Sequence, residues 1–188
     1  MHIFYVDLDK ESVERIAPLL EHVAPLFEKL GAAVPILVEP TRTNAIASCH
    51  ISVDGVHIGV APKQRVTVAD IAHEVMHLIL DLEGYPTLGG AQNAGALASA
   101  LLDGEVDRRV AAAGYDPTTD SDLDFGRTAR TKLKRVDKEQ LLYSYIAWHT
   151  TATRCSDIRE GWRARVRVHH PGVAKIGDAV IKSIAREG

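Results

Sequence analysis

Cysteine is scarce in this chain: Cys49 and Cys155 are the only two in 188 residues, and they belong to no metal-binding or redox spacing. That excludes a disulfide-stapled scaffold and a zinc cluster built on thiolates. Both are read as reduced thiols, Cys49 as a core residue of a strand. Long apolar runs are missing too. None approaches the roughly 20 residues that a membrane-spanning helix needs, so no membrane role is expected. The opening MHIFYVDLDKE reads as a strand followed by acidic residues, not as the basic and then apolar stretch of a secretory leader. A cytoplasmic setting is the expectation. Repeats and low-complexity linkers are also lacking, which makes one domain over residues 1–188 the simplest organisation.

What is present fits a soluble globular domain. Apolar residues make up 46% and charged residues 25%, an ordinary balance, and the length suits one full core better than two. The net charge of -3 hides an uneven distribution. Residues 1–126 hold 8 Lys and Arg against 19 Asp and Glu (8 minus 19, or -11), whereas residues 127–188 hold 14 against 6 (14 minus 6, or +8). The basic residues are interleaved with apolar ones, as amphipathic helices require, so a solvated face is the plain reading. An acidic protein partner or nucleic acid at this basic C-terminal region is the other.

Hydrophobic periodicity predicts the elements in turn. Residues 2–6 read as a first strand. Over 11–30 the apolar positions recur at three and four, giving an amphipathic helix that ends at Gly31. Pro18 and Pro25 inside it predict a kink or a split, because each removes a backbone donor. Residues 34–39, bounded by Pro35 and Pro40, read as an edge strand. Residues 45–53 and 56–61 flank Asp54-Gly55, the pair a tight hairpin uses when both central residues take positive φ. The hairpin puts Cys49, Ile51 and Val53 on one face and His50, Ser52 and Asp54 on the other, with His57 opposed to Val56, Ile58 and Val60. That polar face could border a cleft, but its histidines are read as solvated surface.

Thr67 and Asp70 form a box-like cap for a helix that runs to Leu82 and stops at Gly84. Its expected buried stripe is Val68, Ile71, Val75, Leu78, Ile79 and Leu82. A loop with Pro86, Gly89 and Gly90 follows, then a strong helix over 93–113 that ends at Gly114 and carries Glu105. A carboxylate on that face needs a partner, and Arg109, one turn on, is the plain one. Residues 115–138 are polar and irregular. Their acidic run Asp120, Asp122 and Asp124 lacks the spacing of a calcium loop, and Arg127, Arg130, Lys132, Lys134 and Arg135 come after it. Asp137 caps a helix through Trp148, and Pro171 opens a last one through Ile184. Between them, 162–169 alternates arginine with small or apolar residues and reads as a strand or an exposed basic turn.

The stretch His73-Glu74-Val75-Met76-His77 is where the sequence specifies chemistry. Residues four apart share a helix face, so both imidazoles can meet one zinc ion, with Glu74 beside the open position. In a chain with nine histidines, chance yields this pattern on the order of one time in fifty to a hundred, so the surroundings matter. Here a hairpin precedes it, and a helix bearing Glu105 follows 28 residues after His77 (105 minus 77).

This arrangement resembles the zincin metallopeptidases, and the gluzincin type in particular. Small bacterial zincins of the ImmA/IrrE kind are similar in size and in the interval to the glutamate, although Val75-Met76 stands where those often show Leu-Gly. The resemblance covers about 60 residues, from the hairpin to Gly114, and its specific part is four residues. It implies metal ligands His73, His77 and Glu105, with Glu74 as general base for a zinc-activated water attacking a peptide bond. Asp103, on the same helix, ranks below Glu105 because its shorter side chain points about 200° away. The metzincin pattern is excluded, since Leu80 and Glu83 stand where it needs glycine and histidine. A deformylase-like site is set aside because Ser48-Cys49-His50 does not match that family's cysteine motif. Tyr145 and His149, one turn apart, and Tyr115 are candidates for steadying an oxyanion; the competing reading is a core tyrosine with a satisfied hydroxyl.

The expected architecture is α+β and zincin-like. A small twisted, mostly antiparallel sheet packs on the kinked first helix, the motif helix and the Glu105 helix, and C-terminal helices complete the core. The catalytic core covers about 34–114 and the basic helical part about 127–188. The expected function is a zinc-dependent peptidase acting on a protein or peptide. The alternative is a catalytically weak zincin-like module that binds a partner or nucleic acid through its basic C-terminal region.

Overall fold

A computed structural model describes residues 2–31, 34–41, 46–85, 92–118, 133, 136–150 and 156–187. The fold is mixed α and β. The chain packs as two compact units, Met1–Pro86 with Arg109–Asp116, and Thr87–Arg108 with Pro117–Gly188. No helix among the described residues is long and apolar enough to cross a membrane.

The first unit is built on a four-stranded sheet of β1 (Ile3–Tyr5), β2 (Ile36–Pro40), β3 (Ala47–Ser52) and β4 (Gly55–Val60), in the order β1-β2-β4-β3. The β1/β2 and β2/β4 pairs are parallel and only β3/β4 is antiparallel, so the sheet is mostly parallel where a mostly antiparallel one was expected. The reason is connectivity. Helix α1 (Lys10–Lys29) returns the chain to the end of the sheet where β1 began, and β4, not β3, is laid against β2. Strand β2 is therefore interior, not an edge. Its prolines are tolerated because Pro35 precedes the strand, with its carbonyl accepting from Val56 N at 2.9 Å, and Pro40 is the last residue.

Helix α1 is continuous through Pro18 and Pro25 and does not split. Its N-cap Asp9 accepts from Ser12 N at 2.7 Å, and Ile16, Leu20, Val23, Leu26 and Phe27 are buried along one face. Five such side chains, at about 1.5–3 kcal/mol each, outweigh two prolines at about 3 kcal/mol each.

The hairpin turn lies one residue earlier than Asp54-Gly55. Ser52 pairs with Gly55, which leaves Val53 and Asp54 at the tip, and neither has positive φ. Gly55 has φ of +149°, and a Cβ there would run into the Pro35 carbonyl oxygen. Glycine is needed at this position for the close approach of β4 to Pro35.

Strand parity sorts the sheet into two faces. Ile36, Val38, Val56, Ile58 and Val60 are buried on one, the face shared by Cys49, and α2 packs against β3. The other face carries Glu39, His50 and His57, and ends in Phe4, which is 53% exposed.

The second unit is helical. Helix α3 (Gln92–Ala112) gives it residues 92–108 and the first unit its last turn. Helices α4 (Lys138–Thr150), α5 (Ser156–His169) and α6 (Pro171–Glu187) pack together around Leu141, Tyr145, Trp148, Trp162, Val166 and Val173. Asp137 caps α4 as expected, accepting from Glu139 N at 2.9 Å and Gln140 N at 3.1 Å. Residues 162–169 are helical, neither strand nor turn. Trp162 and Val166, one turn apart and both buried, set the period there, and the alternating arginines do not. Cys155, Pro86, Gly89, Gly90, the acidic run Asp120, Asp122 and Asp124, and the basic residues Arg127, Arg130, Lys132, Lys134 and Arg135 lie outside the described residues.

Candidate metal centre

Helix α2 (Val68–Leu82) begins where local chemistry fixes it. Thr67 Oγ1 accepts from Asp70 N at 3.2 Å, and Asp70 Oδ2 accepts from Thr67 N at 2.7 Å. This reciprocal box satisfies two otherwise orphaned donors. Ile71, Ala72, Val75, Met76, Leu78, Ile79 and Leu80 are buried, so the helix is apolar over more of its girth than one stripe, while Leu82 is 57% exposed.

In the middle of this helix His73, Glu74 and His77 are half-buried. The four-residue spacing brings His73 Nε2 and His77 Nε2 to 3.1 Å, with the ring planes 72° apart. Two nitrogens on one tetrahedral zinc, at about 2.0–2.1 Å from the ion, stand about 3.3–3.4 Å apart. The pair is therefore within a few tenths of an ångström of that bite. As neutral rings, one Nε2–H donates to the lone pair of the other; an ion would replace that single proton with two nitrogen ligands.

Glu74 lies close enough to Cys49 on β3 for its charge to act on the thiol. Burial first, and then the Glu74 carboxylate, push the Cys49 pKa up, so it is an inert thiol at neutral pH. This neighbour follows from the packing of α2 on β3, which the sequence alone does not name.

Glu105 belongs to the second unit. Arg108 grips both its oxygens, Nε donating to Oε2 at 2.7 Å and an η nitrogen to Oε1 at 2.6 Å. The expected partner, Arg109, instead pairs with Glu83 at 2.6 Å and donates to the Tyr85 hydroxyl at 3.2 Å. A planar guanidinium three residues on matches a carboxylate with two parallel bonds, and that fork decides the pairing.

Tyr145 and His149 are also in the second unit, each with partners of its own. Tyr145 is fully buried, its hydroxyl donating to Asp178 Oδ1 at 2.8 Å and its ring lying 4.6 Å from the Arg163 guanidinium carbon. His149 Nδ1 accepts from the Arg163 guanidinium. Partial burial, and then that positive charge, hold the His149 pKa below its ordinary value. Burial alone would raise the Asp178 carboxyl, but hydrogen bonds from Tyr145 and Arg167 overcome it and hold the group below its usual range. Tyr115 donates to the His22 carbonyl at 2.8 Å. These are the contacts of structural tyrosines with satisfied hydroxyls. Sequence reasoning did not find the Asp178 cluster, whose only linear signal is Arg163 and Arg167 one turn apart.

The structure thus brings His73, Glu74 and His77 together on one capped helix. Compared with protein-family models, with curated proteins and with solved structures, the chain matches none.

Proposed function

We propose that the chain is a zinc-dependent metallopeptidase centred on α2. The observation that carries this reading is the convergence of two imidazole Nε2 atoms at 3.1 Å on a buried helix, with a carboxylate next in sequence. Two imidazole nitrogens that converge this closely are a donor pair suited to a borderline divalent ion. His73 and His77 would hold the metal, and the downstream carboxylate at the expected sequence spacing is the third ligand this reading calls for. When bound, zinc lowers the pKa of a coordinated water toward neutrality and polarises a carbonyl. Glu74 takes the proton from the attacking water and passes it to the leaving amine. The substrate class is a protein or peptide.

Glu105 is the third ligand that the spacing favours. Both its oxygens are engaged by Arg108, so Asp103 on the same helix is tested beside it. The binding-module alternative rested on the basic C-terminal region. There Arg163 and Arg167 pair with Asp178 at 3.2 and 3.4 Å, which engages two of its cations internally.

The test is zinc content and peptide hydrolysis of the purified chain and four variants. Glu74→Gln keeps zinc and loses hydrolysis by about 100-fold or more. Glu105→Ala and Asp103→Ala show by metal loss which carboxylate ligates. Zinc content unchanged in His73→Ala, or hydrolysis unchanged in Glu74→Gln, overturns the proposal.

A further inference from the structure

The sheet face turned away from α2 carries a second convergence of ligand atoms. His50 on β3 and His57 on β4 are register partners, and their rings stack with centroids 4.7 Å apart and planes 14° apart. Glu39 on β2 shares that face, because it lies two residues past Leu37, the register partner of His57. Its Oε1 stands 3.3 Å from His57 Nδ1. One ligand atom from each of Glu39, His50 and His57 lies within 4.8 Å of the others. They line an open groove, in which His50 is exposed and the His57 side chain is 14% exposed.

We propose that Glu39, His50 and His57 form a second metal site, for a divalent late first-row transition ion of the zinc type. The inference stands independently of the α2 centre. Two imidazoles and one carboxylate are a borderline donor set, suited to zinc, nickel or copper(II), whereas magnesium and calcium want oxygen alone. His57 is also oriented as metal-bound histidines are. Its Nε2 lies 3.1 Å from Asp54 Oδ1, so an Nε2–H donated to that carboxylate leaves the Nδ1 lone pair facing Glu39 and the ion. The groove floor is kept low at Gly59, on the same face, where a Cβ would run into the Ser48 hydroxyl and Thr41. The fourth position faces solvent and is open to water or a small ligand.

Without a metal, His57 stands between two carboxylates. The hydrogen bond to Asp54 raises its pKa most, and Glu39 adds to this.

The test is a zinc titration of the full chain by calorimetry, repeated with nickel. His50→Ala and His57→Ala each remove one bound ion per chain. Asp54→Asn keeps that ion and weakens it about 10–100-fold, as loss of an outer carboxylate does. His73→Ala leaves this ion in place, so failure here and failure of the α2 centre are distinguishable. Because His50 is exposed, His50→Ala retains the fold and decides the matter alone. Zinc and nickel binding unchanged by that substitution, or lost entirely through His73→Ala, overturns the proposal.

Discussion

Individual side chains in this protein are set by what surrounds their polar ends, and His149 is the clearest case. Its Nδ1 is an acceptor for Arg163, so the neutral ring is the one the fold holds. A folded pKa below the unfolded value means that the unfolded chain binds the extra proton first. The contribution is therefore full above the ordinary imidazole value of about 6.5, and is lost as pH falls from there through the lower folded value. Urea midpoints at about pH 7.5 and about pH 5.5 should fall further in the wild type than in His149→Gln, which removes the titration. Equal falls would show that the ring is not held neutral. Tyr145 and His149 share a helix face, as the sequence shows, but their partners Asp178 and Arg163 come from other helices. Whether a tyrosine hydroxyl is satisfied depends on such residues, 33 positions away in the case of Asp178, which no local pattern reaches.

Helices and strands were legible wherever a cap or a period was strong. The Thr67 and Asp70 box, the Asp137 cap and the glycine stop at Gly84 stand as read. Patterns failed where two periods competed. In α5 the arginine alternation masks a narrow stripe of Trp162 and Val166, and in α1 the buried face outweighs the two prolines. The packing of α6 on α4 gives a sharp prediction. A Cβ at Gly177 would lie 2.5 Å from Tyr145 Cδ1, in a ring that is fully buried. Gly177→Ala gains about 1 kcal/mol of helix propensity but overpacks the core at about 1–3 kcal/mol, so a net loss is expected. Chemical denaturation measures it. A raised midpoint would mean that the Tyr145 ring moves aside without penalty.

For the molecule, metal binding at either proposed site would be linked to stability. Any ion that binds only the folded chain stabilises it, by about 2.7 kcal/mol when free metal is 100 times its dissociation constant. Added zinc should raise the thermal midpoint, a chelator should reverse the gain, and His73→Ala should shrink it. An unmoved midpoint would count against both proposed sites. The sequence by itself determined the helix that carries His73, Glu74 and His77, its cap, and the side-by-side presentation of two imidazoles, because all of these depend on residues within one or two turns. It also placed His50 and His57 on the polar face of a hairpin. Only the tertiary structure decided that β2 is interior and the sheet mostly parallel, since pairing order follows from where α1 returns the chain. It alone brought Glu39 to His57, put Cys49 near Glu74 and gave Glu105 to Arg108. The first two depend on strand order and packing and the third on side-chain geometry, none of which a local period encodes.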